Sequence, residues 1–293
     1  MTNNYMSDRT KVWFITGSST GLGRALTEAV LQQGYRVVAT ARKPEQLNDL
    51  VEAYSETVRT VRLDVTNQQE VQSAVDTAIA VFNRIDVVVN NAGYGAIGAI
   101  EEISEDAIRR QFETNVFGAL SVMRAVLPIL RQQHSGHILN LSSVAGFVSF
   151  GGTGIYCATK FALEALSEAL SKEVEALGIK VTIIEPGAFR TDFNGRSLVT
   201  PEQLMEDYAP VSGAFLKWME QMDGKQAGDP AKAAMAMIQV VENENPPLRL
   251  ALGEDAVSAI EAKLMAVKAE LDAWRDISSS TAFEGAEVST IGG

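Results

Sequence analysis

Apolar, β-branched runs of strand length recur along the chain at Val12–Thr16, Arg36–Ala41, Thr57–Asp64, Val87–Asn90, His137–Leu141 and Lys180–Glu185. They are continuous more than alternating, as expected of strands covered on both faces. Between them lie stretches with helical spacing: Arg24–Gln33, Asn67–Phe82, Ile108–Gln132 and Tyr156–Leu177. Strand alternating with helix predicts parallel pairing through crossovers, hence an open, doubly wound α/β sheet with helices on both faces.

The helix from Tyr156 carries Ala158, Phe161, Ala162, Ala165, Leu166, Ala169, Leu170 and Val174, an apolar surface wider than one stripe. Such a helix needs a second burial partner besides the sheet, either another part of the chain or a second subunit, so a homo-oligomer, dimer or tetramer, is expected. Past Thr191 the repeat stops. Phe193, Leu198, Leu204, Met205, Tyr208, Val211, Phe215, Trp218, Met219 and Met222 crowd a segment that suits a lid over an apolar substrate, with ordinary packing as the alternative. Ala256, Ile260, Leu264, Val267, Leu271 and Trp274 then recur every three or four residues, predicting one amphipathic helix. The reading is one domain over 1–293: a core at 11–191, a lid at about 192–228, a C-terminal helical region at about 229–277, and a flexible tail at 278–293.

Composition narrows the function. The net charge is -12 with no basic block, so a nucleic-acid backbone would meet repulsion. The N-terminus, MTNNYMSDRT, is polar, and Val12 to Ile15 is far too short to cross a bilayer, which predicts a cytoplasmic protein with no membrane attachment. Cys157 is the single cysteine, and His134 and His137 have no ligand-spaced companions, so neither a disulfide nor a metal is expected. A small molecule is the expected partner.

Directly after the first strand run comes Thr16-Gly17-Ser18-Ser19-Thr20-Gly21-Leu22-Gly23, leading into a helix. Glycines let the backbone turn sharply beside a pyrophosphate, and a helix N-terminus offers free N–H groups and partial positive charge. The spacing, with three residues between the first two glycines, departs from the G-x-G-x-x-G fingerprint. Further on, Tyr156 and Lys160 lie four apart and share one helix face, where an ammonium would lower the phenol's pKa and make it a usable acid or base. Ser143, thirteen residues before Tyr156, closes a strand run and could reach the same carbonyl oxygen; Ser142 is its competitor. Cys157 reads as a small buried residue.

In the order of these motifs the chain resembles the short-chain dehydrogenase/reductase family, whose cofactor loop reads T-G-x-x-x-G-x-G. Asp64-Val65 follows the third strand, Asn90-Asn91-Ala92-Gly93 the fourth, and Pro186-Gly187 with Thr191 the sixth, so the likeness covers about Lys11 to Thr191. It implies a Rossmann-type fold and a nicotinamide cofactor. Gly17, Ser19, Thr20, Gly21, Leu22 and Gly23 would hold the pyrophosphate, and Asp64 and Val65 would border the adenine. Asn91, Ala92 and Gly93 would lie by the ribose, and Pro186, Gly187 and Thr191 by the nicotinamide. Tyr156 would exchange the proton, Ser143 steady the substrate oxygen, Lys160 also hold the ribose, and Asn115 complete a tetrad; a structural Asn115 is the alternative.

The second strand ends at Ala41, where an acidic residue would select NAD, and Arg42 and Lys43 follow. A guanidinium grips phosphate through paired donors, so Arg42 predicts NADP unless it is simply a solvated charge. The expected activity is NADP-dependent interconversion of an alcohol and a ketone or aldehyde, on a lipophilic molecule. An epimerase or dehydratase reusing the Tyr/Lys pair, and a non-catalytic dinucleotide sensor, are the rival readings; the four retained site residues weigh against the sensor.

Overall fold

The computed structural model describes residues 11–195 and 198–287. β1 (Val12–Ile15) turns into α1 (Gly21–Gln32), followed by β2 (Arg36–Ala41), the short α2 (Asn48–Ala53) and β3 (Val58–Arg62). Next come α3 (Gln68–Phe82), β4 (Val87–Asn90) and the two-residue β5 (Gly95–Ala96). α4 (Glu105–Phe112) and α5 (Ala119–Gln133) are joined by a π-helical turn, Glu113–Gly118. β6 (Gly136–Leu141), α6 (Gly154–Val174) and β7 (Ile179–Pro186) complete the repeating part. The chain continues through β8 (Leu198–Val199), α7 (Ala214–Met222), α8 (Pro230–Glu242), β9 (Arg249–Leu252), α9 (Glu254–Ala273) and α10 (Arg275–Ser279).

Seven strands pair in parallel in the order β3-β2-β1-β4-β6-β7-β9. β1 shows why its run is apolar throughout. Trp13 and Ile15 enter a core with residues of α1 and α8, whereas Val12 and Phe14 enter the opposite core with residues of α3 and α5. All four are fully buried. Helix layers therefore cover both faces, as the sequence predicts for a doubly wound sheet. The chain's direction of winding reverses between β1 and β4, the position at which open α/β sheets bind ligands beyond their strand C-termini.

Two expectations need correction. The region after 229 is not helical alone, because β9 adds a seventh strand against β7 through Ile183–Arg249 to Pro186–Leu252. It escaped notice because four residues after Pro246-Pro247 carry too little periodicity to separate strand from loop. The tail expected to begin at 278 starts inside α10, and its last residues, 288–293, lie outside the described ones.

The segment expected as a lid leaves and rejoins the body at one point. Arg190 N donates to Gly228 O at 2.9 Å and Gly228 N to Ala188 O at 3.1 Å, so the intervening residues form a closed excursion. Within it β8 pairs in parallel with β5. Met219 is buried, whereas Leu204, Met205, Val211 and Trp218 are exposed.

Over Glu105–Gln133 the helix is long and apolar enough to cross a membrane, with a window of mean hydropathy 1.2. Its Val122, Met123, Val126 and Leu130 are buried against the sheet, which accounts for the composition. On α6 the outer residues Ala158, Phe161, Ala165 and Ala169 remain exposed.

Candidate active site

The turn after β1 is built for close backbone approach. Gly17 and Gly21 have φ of +68° and +59°, a region other residues enter only under strain. A Cβ at Gly23 would stand 2.2 Å from Asn91 Nδ2 and 2.4 Å from Gly17 O, so only hydrogen fits there. Thr20 caps α1 in an extended conformation without a side-chain hydrogen bond, and no acidic residue occupies the first turn. The first N–H groups of α1 are thus open to an anion, and the donor set fits a dinucleotide pyrophosphate.

Strand ends brace this turn. Asn91 Nδ2 donates to Thr16 O at 2.8 Å and Gly17 O at 3.0 Å, while Thr16 Oγ1 accepts from Asn91 N (2.9 Å) and Ala92 N (3.0 Å). The Asn91 side-chain nitrogen is therefore committed to the loop. Asn90 Nδ2 donates to Asn140 Oδ1 at 2.8 Å, tying β4 to β6. From β7, Gly187 N donates to Leu252 O, and Thr191 reaches the glycine turn, since a Cβ on Gly21 would lie 3.6 Å from Thr191 Cβ. Asp64 accepts from Thr66 N (3.0 Å) and Thr66 Oγ1 (2.7 Å), and Val65 is buried where a Cβ on Gly118 would meet it at 2.5 Å. Arg42, directly after buried Ala41, is exposed and has no ion-pair partner among the described residues.

Three side chains converge beyond β6. Ser143 Oγ accepts from Ala145 N at 3.1 Å, donates toward Pro186 O at 3.4 Å and lies near enough to the Tyr156 hydroxyl to favour its ionised form. Ser142 Oγ is buried on the Glu164 side, so of the two serines Ser143 is the one placed beside Tyr156. Lys160 is buried, donates from Nζ to Leu141 O at 2.7 Å and sits 5.8 Å from the Tyr156 ring centroid. Phe193 packs on the same ring, with centroids 5.7 Å apart.

The expected lowering of the phenol is not met in the chain alone. Burial pushes Tyr156 up to about 12, with the nearby Ser143 hydroxyl opposing it. Burial also pushes Lys160 down to about 8, partly offset by the Glu164 charge. Desolvation therefore sets the direction for the phenol, and Lys160 is not among the groups that lower it.

Asn115 occupies the π-helical turn. Its Oδ1 accepts from Tyr94 N (3.1 Å), and Nδ2 donates to Tyr94 O (2.9 Å) and Thr159 Oγ1 (3.1 Å). It bonds the loop after β4 and α6, with no partner in its own helix. Cys157 is buried, 3.1 Å from Thr153 Oγ1, as a small core residue would be.

Thr16, Thr159 and a buried carboxyl pair were not legible as site residues. Glu185, on β7, lies against Glu164 of α6 and Arg249 of β9. Burial first, then the Glu164 charge, pushes Glu185 up to about 7. A glutamate at a strand end and another within a helix give no pairing signal before the sheet is known.

A short chain dehydrogenase family model matches residues 11–201. The chain is 44% identical over 274 residues to the oxidoreductase BOA17 of Botryotinia fuckeliana, covering 93% of this chain and 100% of that one. It is 37% identical over 247 residues to a 3-ketodihydrosphingosine reductase of Bacteroides thetaiotaomicron, covering 83% and 88%. The crystal structure of a short-chain dehydrogenase from Streptomyces avermitilis superposes with a TM-score of 0.88 at 44% identity, covering 93% of this chain and 99% of that one. With its glycine turn and parallel sheet, the chain belongs to the short-chain dehydrogenase/reductase family and is an NAD(P)-dependent oxidoreductase.

Proposed function

We propose that this enzyme uses NADP to interconvert an alcohol and a ketone or aldehyde on a lipophilic small molecule, with Tyr156 as the proton-exchanging residue. The observation that carries the reading is the meeting of Ser143 and Lys160 at Tyr156, on the same sheet edge as a glycine turn with open N–H donors. Gly17, Ser19, Thr20, Gly21, Leu22 and Gly23 hold the pyrophosphate; Asp64, Val65, Ala92 and Gly93 flank the nucleoside; Pro186, Gly187 and Thr191 border the nicotinamide. Asn91 serves by bracing the turn.

When bound, the cofactor supplies the hydride and, in its oxidised form, a positive charge beside the phenol. A phenol near 12 keeps its proton through the neutral range, which makes Tyr156 foremost an acid. Its hydroxyl delivers that proton to the alkoxide developing on a carbonyl substrate. Ser143, beside Tyr156, steadies the same oxygen. Lys160 keeps one donor on Leu141 O and has others for a ribose. In the reverse direction the Lys160 cation favours the phenolate.

NADP rests on Arg42, which is exposed, without an ion-pair partner among the described residues, directly after a buried alanine. A lipophilic substrate rests on Phe193 against Tyr156 and on the Phe215–Trp218 pair, 5.5 Å apart, in the closed excursion that serves as a lid. The Bacteroides relative, named for reduction of a keto compound, agrees with the carbonyl-reducing direction. A soluble, cytoplasmic, homo-oligomeric enzyme acting on a small molecule completes the proposal.

The test is Tyr156→Phe, assayed by loss of NADPH absorbance over a panel of lipophilic ketones and aldehydes. Turnover should fall roughly 10²–10⁴-fold while dinucleotide binding persists. Full activity in that variant would sink the mechanism.

A further inference from the structure

The C-terminal helix leaves the body with a finished seam and nothing to close it. α9 is held at its start by β9 and by buried Ala256. From Glu261 onward every described residue is exposed. An isolated helix of this length is marginal in water, so most of its stability has to come from packing. Yet Val257, Ile260, Leu264, Val267, Leu271 and Trp274 alternate intervals of three and four, the a and d positions of three heptads. Leu264, Leu271 and Trp274 are 54%, 52% and 61% exposed.

The charges beside the seam identify what closes it. The e positions within α9 are Glu254, Glu261 and Lys268, the next one, Arg275, opening α10 just past the Trp274 cap, and the charged g positions are Lys263 and Glu270. If two copies of α9 run antiparallel, the core layers are Val257 with Trp274, Ile260 with Leu271, and Leu264 with Val267. That register sets Glu254 beside Arg275, Glu261 beside Lys268, and Lys263 beside Glu270 of the other copy. Every flanking pair is opposite in sign, and each occurs twice by symmetry. In a parallel pair Lys263 would face Lys268, a repulsion, and only Glu270 with Arg275 would attract. Lys263 and Glu270 make no ion pair within the described chain, whereas Lys268 and Arg275 both already bond Asp272. A membrane surface is disfavoured, because 254–276 carry six acidic and three basic side chains and would be repelled by anionic lipid.

We propose that α9 is a self-association element that zips, antiparallel, onto α9 of a second copy of this chain. The pairing is independent of the catalytic reading and of any contact made by the outer face of α6. Gly253 and Ala256 anchor the first turn, so association has only to propagate helix already nucleated. The rod is about 30 Å long, which leaves the two bodies at its opposite ends.

Sedimentation velocity across a concentration series tests this on the full chain. Leu264→Asp should halve the particle mass of the wild type at the same concentration, while thermal unfolding of the body stays in place, since Leu264 is exposed and belongs to no core cluster. Lys263→Glu should weaken association roughly three- to tenfold by setting Glu against Glu twice, and adding Glu270→Lys should restore it. An unchanged mass in Leu264→Asp, or a wild type that is monomeric throughout, overturns the proposal. So does tighter association in Lys263→Glu, the sign expected of a parallel pair. Co-sedimentation of wild type, but not Leu264→Asp, with phosphatidylcholine/phosphatidylserine vesicles would assign the seam to a membrane instead.

Discussion

Lys160 works against its own burial. An ammonium pushed down to about 8 is cationic below that pH and neutral above it. If the cation holds the ribose and eases proton release, kcat/KM for carbonyl reduction should stay level through neutrality and decline above about pH 8. A profile still level at pH 10 would show that Lys160 does not titrate in the working enzyme. Arg42 makes a separate claim. Arg42→Ala should weaken NADP about 10–100-fold in a binding titration and leave NAD nearly unchanged, because only the former carries a 2′-phosphate to lose charge-assisted bonds. At this scale order and spacing were enough to single out the loop glycines, Ser143, Tyr156 and Lys160 as candidates, and the fold places them at one end of the sheet. The electrostatics were not legible, because the phenol's shift depends on burial that no spacing encodes.

Elements decide how those residues are aimed. The π-helical turn between α4 and α5 rotates Asn115 out of the regular helical register, toward the loop after β4 and toward Thr159. Thr159 Oγ1 in turn donates to Tyr156 O at 2.7 Å, so Asn115 steadies the helical turn that carries the phenol. Asn115→Ala should lower kcat about tenfold or more with KM little changed, and circular dichroism should show the fold intact. Equal loss of secondary structure would reduce Asn115 to a packing residue. Long elements were read within a few residues of their ends, because apolar period and length agree in them. β5, β8 and β9 were missed for the converse reason. Two to four residues contain no period, and their pairing is set by chain segments far away in sequence.

Taken whole, the molecule balances two buried groups with opposite pH demands. His137, on β6, donates from Nε2 to Thr182 Oγ1 (2.9 Å), which passes its own proton to Pro247 O (2.8 Å). Burial first, then the charges of Lys180 and Lys11, lower His137 to about 3. A base whose folded pKa lies below its unfolded 6.5 contributes stability that is complete above pH 6.5 and lost as pH falls toward 3, up to about 5 kcal/mol. Glu185 acts the other way: raised to about 7, it favours the fold below its unfolded value and loses that contribution as pH climbs through 7. Calorimetry should therefore show Tm dropping steeply below pH 6, and His137→Gln should flatten that acid limb; an unaltered limb would assign acid unfolding to other groups.

Cys157 follows the catalytic tyrosine directly, and its sulfur lies inside α6 beside Thr153. With one thiol in the chain, a thiol-selective alkylating reagent has a single target, hidden until the first turn of α6 opens. The labelling half-life is thus a clock for local opening at the phenol, and its lengthening on addition of a dinucleotide would measure how firmly the ligand locks that turn.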